Sequence, residues 1–249
     1  MPASELPPPL PPESRTVGQL IAETIRFYQH HFWAALPLGL SLAAVEQVTA
    51  GQSTSVQTLV LAAAAPLMTA SFVRGCSLVG EAAWSWTAFA LGVLIFLPVP
   101  FLMLMYSLPA VAWLAFVGLA VPAAVVERLG FRDALVRGRR LGAADYVHAL
   151  GGLAAITIVF ALTKFVLAIL LKNQADVTVR TALFLADLVL SPMLFLGGAL
   201  LYVDQAARVD SRHRPGRKRD ADLHPSVDAV DAGRADTAVE PRPAAGGQP

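Results

Sequence analysis

Charges are sparse between Phe32 and Val203 and dense after Asp204, and this contrast restricts the fold more than any other feature of the chain. Six apolar stretches can be marked in the sparse part: Phe32 to Ala50, Val56 to Val73, Trp86 to Tyr106, Ala110 to Val126, Val147 to Leu171 and Thr181 to Val203. Each is close to the ~20 residues a helix needs to cross ~30 Å of hydrocarbon. Only 15% of the residues are charged, against roughly a quarter in soluble domains. The expected fold is therefore all-α: a polytopic integral membrane protein of six transmembrane helices with two interfacial amphipathic helices.

The reversal between the third and fourth stretches is the hardest to place. Thr87 to Val126 is free of charge and contains Pro98, Pro100, Pro109 and Pro122. A turn at Ser107-Leu108-Pro109 leaves two spans of usable length, whereas one at Pro98-Val99-Pro100 leaves a short third span and a long fourth. Backbone groups freed by the remaining prolines must find partners inside the bundle, since lipid offers none.

Two segments outside the spans have helical periodicity with a polar face. From Thr16 to His31, Val17, Leu20, Ile21, Thr24, Phe27 and Tyr28 recur at three and four, and Thr16 and Gln19 have capping-box spacing. Its apolar face is expected against lipid or the bundle. His30 and His31 are adjacent, so they point about 100° apart on a helix and do not converge as metal ligands. The second segment, Glu127 to Asp145, keeps Phe131, Ala134, Leu135, Gly138 and Leu141 or Gly142 on one face and places five arginines elsewhere. The Gly138/Gly142 pair is read as a close crossing against a spanning helix rather than a dimer contact.

Orientation follows the distribution of Arg and Lys. With the N-terminus inside, cytoplasmic segments carry Arg15, Arg26 and Arg74, the group Arg128, Arg132, Arg137, Arg139 and Arg140, and a final cluster of Arg208, Arg212, Arg214, Arg217, Lys218 and Arg219. External loops keep only Lys172 and Arg180. The expected location is the cytoplasmic membrane with both termini inside. The basic residues of the second amphipathic segment and the final cluster are expected to meet anionic lipid phosphates, at about 1 kcal/mol each near the leaflet surface. Nucleic acid is not an expected partner, because no folded groove-reading element accompanies the basic cluster.

The domain organisation reads as a Pro-rich N-terminal arm over 1–15, a membrane domain over 16–208, and a tail over 209–249 that begins basic and continues in Asp, Ala, Gly and Pro. The arm lacks the basic opening of a secretory signal. It and the tail are expected to be disordered.

Three ionisable residues fall within the spans: Glu46, Lys164 and Asp187. Each costs about 2.5 to 3.5 kcal/mol at a helix centre on insertion scales, so each should face the bundle or the interface. Lys164 lies seven residues before Leu171, about 10 Å along a helix, and Asp187 six residues beyond Thr181, about 9 Å. The matched depths predict a Lys164–Asp187 pair with Glu46 as a shallower third participant. A register-fixing ion pair and a proton or ion relay are the two roles such a group can play.

Several short motifs, in chain order, resemble a known family. They are Thr16-Val17-Gly18-Gln19 with Ile25-Arg26-Phe27-Tyr28, the run Val121-Pro122-Ala123-Ala124-Val125-Val126-Glu127, Ala134-Leu135-Val136-Arg137 with Arg140-Leu141, and Leu201-Tyr202-Val203-Asp204. Together they resemble the membrane domain associated with glycerophosphoryl diester phosphodiesterases, over roughly Thr16 to Arg208. The resemblance implies a six-helix bundle that is sometimes fused to a catalytic domain and often stands alone. Gly138 and Arg139 depart from the family pattern, which commonly has a small polar residue and an aromatic there.

Catalysis is not expected. The associated phosphodiesterase activity belongs to a soluble barrel of about 250 residues, and the 45 residues after Asp204 are too few for one. The sequence has no HExxH, no phosphate-cradling GxxxxGK and no Cys pair, Cys76 being single. Gly51-Gln52-Ser53-Thr54-Ser55 lacks the closing glycine of a nucleophile elbow and reads as an external turn. No catalytic residue, metal site or cofactor is assigned. The leading expectation is a non-catalytic membrane module that scaffolds partners or organises lipid at the cytoplasmic face. The alternative is a small solute or ion transporter or channel using Lys164, Asp187 and Glu46. A packed bundle favours the first, and a central water-filled cavity reaching Lys164 and Asp187 favours the second.

Overall fold

The apolar stretches are helices, and several of the breaks between them fall at proline or glycine. The computed structural model describes residues 11–212. In chain order the helices are α1 (Val17–His30), α2 (Phe32–Ala35), α3 (Leu40–Thr49), α4 (Thr54–Ala63), α5 (Ala65–Val79), α6 (Trp86–Phe96), α7 (Val99–Met105), α8 (Ser107–Val117), α9 (Ala120–Val126), α10 (Phe131–Ala144), α11 (Tyr146–Leu171) and α12 (Asp176–Arg212). No strand occurs among the described residues. Residues up to Val209 make one compact unit, and of the second, Asp210–Pro249, only the last turn of α12 is described.

Among the described residues, five segments are long and apolar enough to cross a membrane: Phe32–Thr49, Trp86–Met105, Ser107–Val126, Tyr146–Leu171 and Asp176–Ser211. The α4–α5 pair makes a sixth if counted as one span, but it bends by 50°. Val56 to Val73 was expected as a single span. The bend falls at Ala64-Ala65-Pro66, because Pro66 has no N–H to continue the ladder from α4. The third and fourth spans reverse at Tyr106, which is extended, one residue before the expected turn. Pro66, Pro100, Pro109 and Pro122 all lie within the first three residues of a helix, where amides have no intrahelical acceptor in any case.

Pro192 is the exception, lying inside α12. It leaves the Leu188 carbonyl without its donor four residues on. That carbonyl faces Gly39, where an added Cβ would overlap it, so only glycine admits the approach. Ser191 adds a hydroxyl donated to the Gly39 carbonyl at 3.4 Å. A three-residue-per-turn segment through Pro37 (Leu36–Gly39) leads into α3 at this contact, which clamps α3 to α12 two turns before Glu46.

α1 begins with the capping box between Thr16 and Gln19 and buries Leu20, Thr24 and Tyr28, successive positions four apart, against the bundle. Burial pushes the Tyr28 phenol above its usual pKa. α9 is buried on nearly every side, with Val121, Ala123, Ala124 and Val125 fully enclosed, as expected of a helix that is apolar all round. α10 lies across it. Ala120 occupies the space a Cβ at Gly138 would need, and the Phe116 carbonyl would lie 2.7 Å from one at Gly142, so both glycines serve a helix crossing.

α12 starts five residues before the expected Thr181 and continues past Val203 to Arg212. Its last turns remain helical because they pack: Asp204 and Gln205 are fully buried and Val209 is buried. The helix thus runs beyond the apolar stretch read from the charge pattern.

Candidate functional site: a buried charge cluster, a cavity and a basic helix face

Two groups of charged side chains and one cavity mark the functional candidates. The first group lies deep in the apolar part of the fold. Lys164 on α11 places its Nζ 2.9 Å from Asp187 Oδ1 on α12 and also pairs with Glu46 Oε1 on α3. The Asp187 side chain is fully enclosed, Lys164 is 17% exposed and Glu46 38%. The Lys164 ammonium also lies 5.4 Å from the Phe160 ring centroid. One ammonium thus serves two carboxylates on two other helices. Fully ionised, the three groups carry a formal charge of −1.

A cavity of about 420 Å³ begins at this cluster. Its polar end is formed by Glu46, Thr49 and Gln57. The remainder is lined mainly by apolar side chains of α5 to α8, α11 and α12, among them Phe72, Phe96, Leu114 and Phe195. Of the three ionisable residues, Glu46 alone lines it.

The second group lies at the opposite end, where α1, α10, α11 and α12 meet. Arg15 reaches Asp204 at 3.0 Å. Arg208 is 3.3 Å from Asp145, donates to the Arg15 carbonyl and lies 3.3 Å from His148 Nε2. Gln205 donates to the Asp145 carbonyl at 3.2 Å. Nearby, Glu127 accepts from Tyr202 at 2.6 Å and from Arg137 at 2.9 Å. This network ties the start of α1 and both ends of the α9–α10–α11 connection to the end of α12. Asp145 also caps α11 through the His148 amide.

Of the arginines expected to meet lipid phosphate, Arg208 pairs with Asp145 and Arg137 with Glu127. Arg128, Arg132, Arg139 and Arg140 are exposed on or beside α10. Arg139 lies 5.8 Å from the Phe116 ring centroid. Arg128 has φ of 53°, a left-handed conformation beside the end of α9 where glycine is more usual. The Arg212 side chain and Arg214, Arg217, Lys218 and Arg219 lie outside the described residues, as do the first ten residues and the tail.

Asp204, Asp145, Glu127 and Tyr202 were not singled out as site residues from the sequence. A signal existed for Asp204 and Gln205: both continue the helical register of the apolar face that precedes them, with Leu201 four residues before Gln205. No group of three or more His, Cys, Asp or Glu side chains placed to share a metal ion occurs among the described residues. No family model, no curated protein and no solved structure matches this chain.

Proposed function

We propose that this chain is a non-catalytic membrane module that organises anionic lipid at the cytoplasmic face of the cell membrane, as a six-span bundle with both termini inside. One observation carries the reading. α10 docks its small-residue face, Ala134, Gly138 and Gly142, into the bundle and leaves Arg132, Arg139 and Arg140 exposed, with Arg128 beside them. A helix fixed this way at the basic end of an apolar bundle presents a rigid row of guanidinium groups at headgroup depth. Arg suits this role because its planar fork meets phosphate through two parallel bonds.

The resemblance to the phosphodiesterase-associated membrane domain supports the same reading. Residues of its separate motifs converge in the fold, since Tyr202 and Arg137 share Glu127 and Asp204 pairs beside α1.

The test is lipid retention. The protein purified from its membrane should carry anionic phospholipid detectable by native mass spectrometry, and a variant with Arg128, Arg132, Arg139 and Arg140 all changed to Gln should lose most of it. Equal retention by the quadruple variant would remove the reading. A second reading, solute transport, is favoured by the cavity that reaches Glu46.

A further inference from the structure

We infer that the central cavity binds a hydrophobic organic monocation, with its positive group at Glu46 and its apolar body along the bundle interior. The inference rests on the transport reading's cavity and names the class of ligand it takes.

Size, shape and charge each restrict the occupant. The volume of about 420 Å³ falls in the range of small-molecule sites, roughly 300 to 1,000 Å³. Apart from Thr157 the lining is apolar except at one end, so an inorganic ion would leave most of it unused. An amphiphile with a single polar group fits this division, because a second polar group would lie against Leu and Phe side chains without a partner.

The sign of the charge follows from the cluster. Lys164 sits between Asp187 and Glu46 and pairs with both. Asp187 is fully enclosed, whereas Glu46 is partly exposed and is the one ionisable side chain of the three on the cavity wall, so the charged group a ligand meets there is a carboxylate. An anion entering the cavity would meet that charge. A cation would meet Glu46, with the amide of Gln57 and the hydroxyl of Thr49 on the same wall. The Phe72, Phe96 and Phe195 rings also line the cavity, and an aromatic face attracts positive charge. Lys172 and Arg180, the other cations near this end, are exposed, and neither is part of the lining.

The experiment uses the full chain in nanodiscs of zwitterionic lipid, titrated with tetraphenylphosphonium, with empty nanodiscs as the blank. Saturable binding is expected, with no saturable binding of tetraphenylborate, which has nearly the same shape and the opposite charge. Glu46→Gln should weaken binding by about tenfold or more, as expected when the carboxylate facing the cation is made neutral. Leu114→Trp, which fills the cavity while leaving the three charges in place, should abolish it. Thermal melting of both variants checks that they fold. If Glu46→Gln does not fold, the Leu114→Trp and tetraphenylborate arms decide. Absence of saturable binding by the unaltered protein, or equal binding of the two probes, would overturn the inference. Binding without uptake of the cation into proteoliposomes would support the inference and count against transport, so the two can fail separately.

Discussion

Removing Lys164 should harm the fold more than removing Asp187, and removing both should harm it less than removing Lys164 alone. In Lys164→Met the Asp187 carboxylate, fully enclosed and formerly 2.9 Å from the ammonium, is left beside a second carboxylate at Glu46. Breaking a buried pair in this way costs about 3 to 5 kcal/mol, because the remaining charge has neither water nor a partner. Asp187→Asn leaves Lys164 its contact with Glu46, so the loss should be nearer that of one buried polar contact, about 1 to 3 kcal/mol. The double change leaves only Glu46, whose 38% exposure gives it access to water, and should recover part of the cost of Lys164→Met. For a domain of this size 1 kcal/mol corresponds to about 2 to 4 °C in melting temperature, so Lys164→Met should melt on the order of 10 °C lower. The measurement is a thermal melt of the four detergent-solubilised proteins, read as a double-mutant cycle. Additive losses, or a larger loss for Asp187→Asn than for Lys164→Met, would refute the reasoning.

Gly138→Leu should detach α10 and lower the melting temperature sharply, because the added side chain meets Ala120 backbone, while Gly18→Ala, which has open space around its Cβ, should be neutral or stabilising by up to about 1 kcal/mol. Thermal melts of the two variants provide the contrast, and equal effects would place the crossing elsewhere. Single cysteines in a Cys76→Ser background, probed on intact cells with an impermeant thiol reagent, should label at position 53 and not at positions 137 or 226. Labelling at 137 with none at 53 would invert the topology.

Much of the helical content follows from local rules. The capping box at Thr16 starts α1 without help from the rest of the chain, and the apolar runs at Trp86, Tyr146 and Asp176 are long enough to be read as spans. Lys164, Asp187 and Glu46 stand out in sequence because charge inside an apolar run is rare. Tertiary structure decided which of these charges meet and where their partners lie. Arg208 looks like one more cation in a basic tail, yet α12 continues far enough to bring it to Asp145, 63 residues away in sequence. Glu127, Tyr202 and Arg137 come from three separate segments, and no spacing rule links them. The cavity has no sequence signature, since it is the space left where helices broken by Pro66, Pro98 and Gly118 fail to fill the interior against α11 and α12. Local sequence determines backbone conformation through short-range sterics and hydrogen bonding. Charge pairing and empty volume depend on distances between residues far apart in the chain, and only packing fixes those distances.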